Sequence, residues 1–374
     1  AVICDVAIPR AEQREAITAR LRDSGHRIVS LDYAQLAAFA GNMLTLFVAY
    51  EVLSISTYPL VTHSGTEQAK RAGRVYLGIL LGTSIGLQLL AILATWSFTG
   101  TLDFREGGIL AGKIDPAWAG LLFALYVFGI GKAAVMPVHR WLPAAMVAPT
   151  PVSALLHAVA VVKAGVFTVT KVIIYIFGVD FLFAEPSSEW LFYAAAFTIV
   201  AASVVALRQQ NLKRLLAYSS IENMGIIAFG TGIGGLGAYG AMLCLIHHSL
   251  IKSSLFLSSG NILLGYGSRL IKETGKLAGR MPKTFAAFFG GFAGISGFPP
   301  FGIFLGELFI IIAAFRAGQY VGVGLFIFSL CVVFAGFAKH VMKMSFSDDD
   351  TTIRIREKPA LIWPQYALLA TSLV

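Results

Sequence analysis

WAGLLFALYVFGIGKAAVMPVHRWLPAAMVAPTPVSALLHAVAVVKAGVFTVTKVIIYIFG (118–178) decides the fold. It holds two apolar runs, 118–145 and 152–178. Each is long enough, at about 1.5 Å per helical residue, to cross a hydrocarbon core of about 30 Å. The first run is interrupted at Met136-Pro137, and proline removes a backbone hydrogen bond and bends a helix. An interruption at membrane depth is tolerated only where protein or a watery cavity satisfies the freed backbone groups. The same stretch contains Lys132, His157 and Lys163, none of which suits hydrocarbon. Two bilayer-length helices, one of them broken and both carrying bases, point to a hydrated path inside a membrane protein.

Outward from this stretch, apolar runs recur at 34–60, 74–98, 190–208, 214–231, 236–264, 284–315, 320–342 and 360–374. The run at 284–315 has its own interruption, Gly297-Phe298-Pro299-Pro300. Paired broken helices in corresponding places are a mark of inverted repeats in transporters. The expected fold is an all-α polytopic membrane protein with about ten transmembrane helices, inverted repeats and two broken helices. The expected organisation is a polar, non-membrane arm at 1–32 with no apolar signal-peptide region, a first half at 33–182 and a second half at 183–345. A loop and the start of a last helix follow at 346–374.

The composition agrees: 57% of the 374 residues are apolar and 13% charged, against about 25% charged in a soluble domain. The net charge of +9 lies in alternate loops. Lys70, Arg71 and Arg74, then Arg140, Arg208, Lys213 and Arg214 fall on one side, with the basic residues of 269–283 and 339–358. The opposite loops hold only Arg105, Lys113 and Arg316. The positive-inside rule places the first set in the cytoplasm. No basic face of a soluble domain is present, so nucleic acid is excluded as a partner. Cys4, Cys244 and Cys331 are far apart and form no metal or redox spacing. No iron–sulfur, haem or metal site is therefore expected in this chain. No nucleophile–base pair of a soluble enzyme stands out, and the glycine-rich stretches lack the strand and helix of a phosphate loop.

Setting loop and arm charges aside leaves Lys132, Lys163, Lys171 and Lys252, with Glu51, Glu222 and Glu307; His157, His247 and His248 lie in the same apolar runs. A charge at the bilayer centre costs at least about 2.5–3.5 kcal/mol on insertion scales. Several together mark a functional, hydrated interior. A low-dielectric surrounding disfavours the charged form of either group, so both can exchange protons at working pH; arginine cannot. Glu51 has no cation on its own helix, and Lys132 lies beside a break, so a Glu51–Lys132 ion pair is the natural expectation. His157 and Lys163 are six apart and do not share a helical face. His248 and Lys252, at i and i+4, do. Lys171 near the outer helix end reads as a snorkelling side chain. Glu222, two turns into its helix, is an uptake carboxylate or the partner of a loop base. Glu307 follows the second break.

GKAAVMPVHRWLPAAMVAPTPVSALLHAVAVVKAGV (131–166) resembles the signature of the antiporter-like proton-pumping subunits of respiratory complex I, Mrp-type cation/proton antiporters and group 4 membrane-bound hydrogenases. The resemblance extends over about 33–345. The first half is most similar to the Mrp-type D subunit. The second resembles the hydrogenase-4-type F subunit through RLLAYSSIENMG (214–225), HHSLIKSSLFLSSGNILLGYG (247–267) and ISGFPPFGIFLGELFII (295–311). It implies a proton relay through Glu51, Lys132, His157, Lys163, His248, Lys252 and Glu307, with Glu222 matching the hydrogenase-type pattern only. It also implies further helices before Glu51, where this chain has a polar arm. The implied setting is a multi-pass protein of a bacterial or archaeal inner membrane, with other membrane subunits as partners. The implied function is proton translocation as the non-redox pump module of an oxidoreductase complex. No cofactor is expected in this chain, and Fe–S or Ni–Fe groups would belong to partner subunits. A role within a Na⁺(K⁺)/H⁺ antiporter and a structural scaffold are the competing readings.

Overall fold

The computed structural model describes residues 35–184, 190–346, 355 and 357–373; the polar arm at 1–32 lies outside them. The described chain is helical: α1 (Met43–Val61), α2 (Glu67–Thr99), α3 (Pro116–Gly129), α4 (Thr150–Phe177), α5 (Trp190–Leu207), α6 (Leu212–Ile233), α7 (Gly235–Tyr266), α8 (Pro282–Ile295), α9 (Gly302–Arg316), α10 (Tyr320–Phe346) and α11 (Pro359–Ala370). Short side chains start the principal helices. Asn42 accepts from Thr45 N–H at 2.8 Å, Thr66 from Ala69 N–H, and Asn211 from Lys213 and Arg214 N–H. Each satisfies a donor that a helix start leaves free.

Among the described residues six helices are long and apolar enough to cross a membrane by themselves: α1, α2, α4, α5, α7 and α10. α3 is too short for that test and continues through a break. α8 and α9 together make the second broken crossing. The chain is thus an all-α, multi-pass membrane protein. Its outer surface is apolar, as at Leu90 and Trp96 of α2, Phe197 of α5, and Val321 and Phe328 of α10. Its polar groups point inward, the reverse of a soluble protein and the arrangement a bilayer selects.

The first break begins earlier than its proline. α3 ends at Gly129, Gly131–Ala133 forms one 3₁₀ turn, and Ala134 turns left-handed at φ 56°. The Met136-Pro137 peptide is cis. Trp141 donates its indole N–H to the Gly131 carbonyl at 2.9 Å, satisfying one of the freed groups. Lys132 therefore sits inside the unwound segment rather than one turn before it. The second break runs from Ser296 to Phe301, with Gly297 at φ 68° and a cis Pro299-Pro300 peptide.

α4 lies against the first break so closely that a Cβ on Gly165 would meet the backbone nitrogen of Ala133 and the carbonyl carbon of Lys132. Gly297 plays a related part at the second break: a Cβ there would meet the Glu307 carboxylate, and its positive φ also favours glycine. α5 packs beside the first break. It packs on α6 and α10, and its Thr198 hydroxyl accepts the Met136 N–H at 3.1 Å.

Candidate functional site

Lys132 is fully buried and projects from the unwound segment onto α1. Its ammonium donates to the Tyr50 carbonyl at 2.6 Å and to Ser54 Oγ at 2.5 Å. It also lies 3.0 Å from the centre of the Tyr50 ring, a cation–π placement. The Lys132 backbone N–H donates to Tyr50 Oη at 3.0 Å. Glu51, the next residue on α1, interacts with Lys132 electrostatically and has Ser84 of α2 beside it. Both its carboxylate oxygens are buried, and the Ser84 hydroxyl beside them donates to the Leu80 carbonyl at 2.8 Å. The direct Glu51–Lys132 ion pair expected from sequence is not formed. The ammonium spends its donors on the turn of α1 that carries Glu51, not on the carboxylate.

The second half repeats this with other residues. Lys252 of α7 is fully buried and donates to the Leu216 carbonyl of α6 at 3.0 Å and, by a short contact, to Ser219 Oγ. Glu222, on the same helix, faces Lys252 electrostatically. Its carboxylate accepts from Asn223 Nδ2 at 2.8 Å and from Ser329 Oγ at 3.5 Å. Glu222 is thus turned into the core and is not the partner of a loop base. Each half sets a lysine over a carbonyl and a serine of a helix that also carries a carboxylate.

Between the halves, Lys163 Nζ lies 2.7 Å from His248 Nδ1, both side chains being buried. The other ring nitrogen of His248 has no hydrogen-bond partner. Lys163, His248 and Lys252 lie within electrostatic reach of one another. Glu307 of α9 is 3% exposed, with Oε1 unpartnered, and interacts electrostatically with Glu222.

His157 departs from expectation in its direction. It occupies a π turn, Leu155–Val159, that shifts the register of α4. Lys163 and His157 therefore both reach α7 despite their six-residue spacing. The His157 ring is fully buried and stacks between Trp141 at 6.2 Å and Phe256 at 5.7 Å, with neither nitrogen hydrogen-bonded. Lys213 and Lys252 are its charged neighbours. His157 thus lies within electrostatic reach of Lys252 without a hydrogen bond of its own. His247 points to the second break, where its ring occupies the space a Cβ on Gly302 would need. Lys171 donates to the Ala40 carbonyl at 2.9 Å and lies 4.7 Å from the Phe104 ring, tying α4 to the segments that precede α1 and follow α2.

Five side chains escape a search for misplaced charges. Tyr50 and Ser54, with Ser219 opposite them in the second half, hold the lysines but are neutral. Gln88, in the apolar run 74–98, is fully buried. Lys213 reads as a loop base because it follows Arg208 and Asn211. It is instead 1% exposed and bonded to the Ala148 carbonyl at 2.6 Å.

The comparisons fit this geometry. The family model described as NADH:quinone oxidoreductase/Mrp antiporter, TM, matches residues 40–333. A second, eukaryotic N,N dimethylarginine dimethylhydrolase, matches residues 1–75, most of it outside the region that builds the site. Hydrogenase-4 component B of Escherichia coli strain K12 is 34% identical over 284 residues, 71% of this chain and 41% of that protein. NADH-quinone oxidoreductase subunit N of Desulforudis audaxviator is 29% identical over 77% of this chain and 58% of its own. A Na(+)/H(+) antiporter subunit of Alkalihalophilus pseudofirmus is 30% identical over 78% of this chain and 38% of its own. The chain thus spans between 38% and 58% of the length of these relatives. Among solved structures, the Mrp complex from Dietzia sp. DQ12-45-1b shares the fold at TM-score 0.83 and 23% identity, over 92% of this chain and 73% of that one. The archaeal membrane-bound sulfane sulfur reductase gives 0.81 and 29%, over 92% and 70%. With a family model covering most of its length and the family's helical architecture around the buried lysines, the chain belongs to the NADH:quinone oxidoreductase/Mrp antiporter transmembrane family.

Proposed function

We propose that this chain carries protons across the membrane along Glu51, Lys132, Lys163, His248, Lys252, Glu222 and Glu307, as one subunit of a multisubunit membrane complex. The observation that carries the reading is the buried contact between Lys163 Nζ and His248 Nδ1. Two bases at this distance with no carboxylate between them share one proton. A protonated Lys163 gives it to His248 Nδ1, leaving a neutral amine and an imidazolium; the reverse step restores both. From His248 the proton passes to Lys252, one turn further on the same face of α7, and on to Glu222. Glu51 and Glu307 end the line in the two halves. Neither lysine nor imidazolium offers a lone pair to a sodium ion while protonated, which favours protons as the carried species.

The names of the relatives support a subunit role, since hydrogenase-4, NADH-quinone oxidoreductase and the Na(+)/H(+) antiporter are all named by component or subunit. In this reading the partners are other membrane subunits, and any Fe–S or Ni–Fe chemistry belongs to them. The 30% identity to part of a Na(+)/H(+) antiporter supports a second reading, exchange of Na⁺ or K⁺ for protons. The test is to purify the native assembly, identify its subunits by mass spectrometry, and follow internal pH in sealed vesicles. Proton movement at full rate in sodium- and potassium-free medium, beside redox partner subunits, is the expected result. Movement that requires added Na⁺ or K⁺ overturns the first reading in favour of the second.

A further inference from the structure

α2 carries a second π turn, Ser84–Gln88, which faces both halves of the first lysine site. Ser84 lies beside Glu51. A Cβ on Gly129, the last residue of α3 before the break, would meet the Gln88 backbone and Cβ. π turns occur often at functional sites because the extra residue redirects side chains. Here the redirected side chain is Gln88. It is fully buried, and neither its Oε1 nor its Nε2 meets a hydrogen-bonding protein group. A buried primary amide left without partners costs several kcal/mol in an apolar surrounding, so a purely structural residue here would be apolar. Two buried carboxylate oxygens of Glu51 lie around the same turn, beside the Ser84 hydroxyl.

Outward from Gln88 the stripe continues. Thr95 and Thr99 are seven and eleven residues further, each within about 20° of Gln88 on the helical wheel. Thr95 is fully buried, and its hydroxyl pairs with Tyr126 Oη at 2.8 Å. Thr99 Oγ1 reaches the Thr101 carbonyl beyond the end of the helix. Ala91, between Gln88 and Thr95 in sequence, is also buried.

We propose that the π turn of α2 is a water-binding site and that Gln88 positions water connecting Glu51 and Ser84 to the Thr95–Tyr126 pair, opening the first half toward the outer end of α2. The inference rests on the proton-carrying role given to Glu51. Gln88 is a positioning residue: its amide oxygen accepts from these waters and its N–H groups donate to them. A proton leaving the Glu51 carboxylic acid moves along the water O–H bonds, and no bond of Gln88 breaks. The ligand class is water, and two to four polar partners are what a buried water needs.

Two measurements on the native complex test this. Gln88→Met keeps the volume and removes the unpartnered amide, so a structural role predicts a complex at least as stable as the native one. The proposal predicts native assembly with translocation lowered by about tenfold or more. The second measurement uses Gln88→Cys in a background without Cys4, Cys244 and Cys331. Its thiol is expected to react with a small charged methanethiosulfonate added from the outer side, whereas Leu90→Cys on the lipid face is not. Native translocation in Gln88→Met, or a Gln88→Cys thiol as inert as that control, overturns the proposal. If Gln88→Met does not assemble, the thiol reaction alone decides. Normal translocation in Glu51→Gln would refute the proton-carrying role itself, and the labelling would still report whether the turn is hydrated.

Discussion

Lys132→Met abolishes proton translocation, by about a hundredfold or more, while the complex still assembles in native amount. The ammonium is the only titratable side chain between Ile130 and Pro137, and methionine cannot carry a proton. Assembly survives because the substitution strands little. Ser54 Oγ already donates to the Tyr50 carbonyl at 3.2 Å, so both of the lysine's partners keep a bond to each other. Methionine is flexible and apolar and fills most of the same space. It also removes the cost of holding a charge away from water. Glu51, left without its counter-charge, takes up a proton rather than remain an unpaired buried carboxylate, which blocks the first half a second time. The measurement is internal pH in vesicles, normalised to complex quantified on the same sample. Loss of assembled complex with unchanged translocation per complex would instead make Lys132 a structural counter-ion.

Gly165→Ala has the largest expected structural effect. The added Cβ would meet the Ala133 nitrogen and the Lys132 carbonyl carbon. These are backbone atoms that cannot swing aside, so α4 must lift from the break. Overpacking of this kind costs about 1–3 kcal/mol. The same shift separates Lys132, on the break, from Lys163, on α4. Both the yield of complex and the translocation per complex are therefore expected to fall. Gly78→Ala is the matched control, since nothing lies within 4 Å of a Cβ there. Thermal unfolding of the purified complex and the vesicle assay read the two effects separately. Native stability in Gly165→Ala would mean that α4 and the break are not in close register.

The architecture was legible because a bilayer imposes it. A long apolar run with a proline and a lysine inside it has few soluble explanations, and both breaks could be located from Met136-Pro137 and Pro299-Pro300. The extent of the first break was not legible. The unwinding starts at Ile130, where glycines and the left-handed Ala134 end the helix before the proline does. The charged members of the site were legible for one reason: each is out of place in hydrocarbon. That criterion is blind to neutral groups, so Tyr50, Ser54, Ser219 and Gln88 escaped it. It also misassigned Lys213, whose position near a loop hides its burial. Helical-wheel geometry failed at His157 because a π turn is not visible in sequence spacing. The Glu51–Lys132 ion pair failed because sequence counts charges, whereas the folded lysine is held by a carbonyl and a hydroxyl.

The most direct test of a proton line is Lys163→Arg in the native assembly. Arginine keeps the positive charge and a long, donor-bearing side chain, but it does not give up its proton. A lysine serving only to hold helices together by charge would be largely replaced. A lysine that hands its proton to His248, 2.7 Å away, would not. The account predicts that Lys163→Arg assembles and that its translocation in vesicles falls to the background of protein-free vesicles. An assembled Lys163→Arg complex that moves protons at the native rate would contradict it.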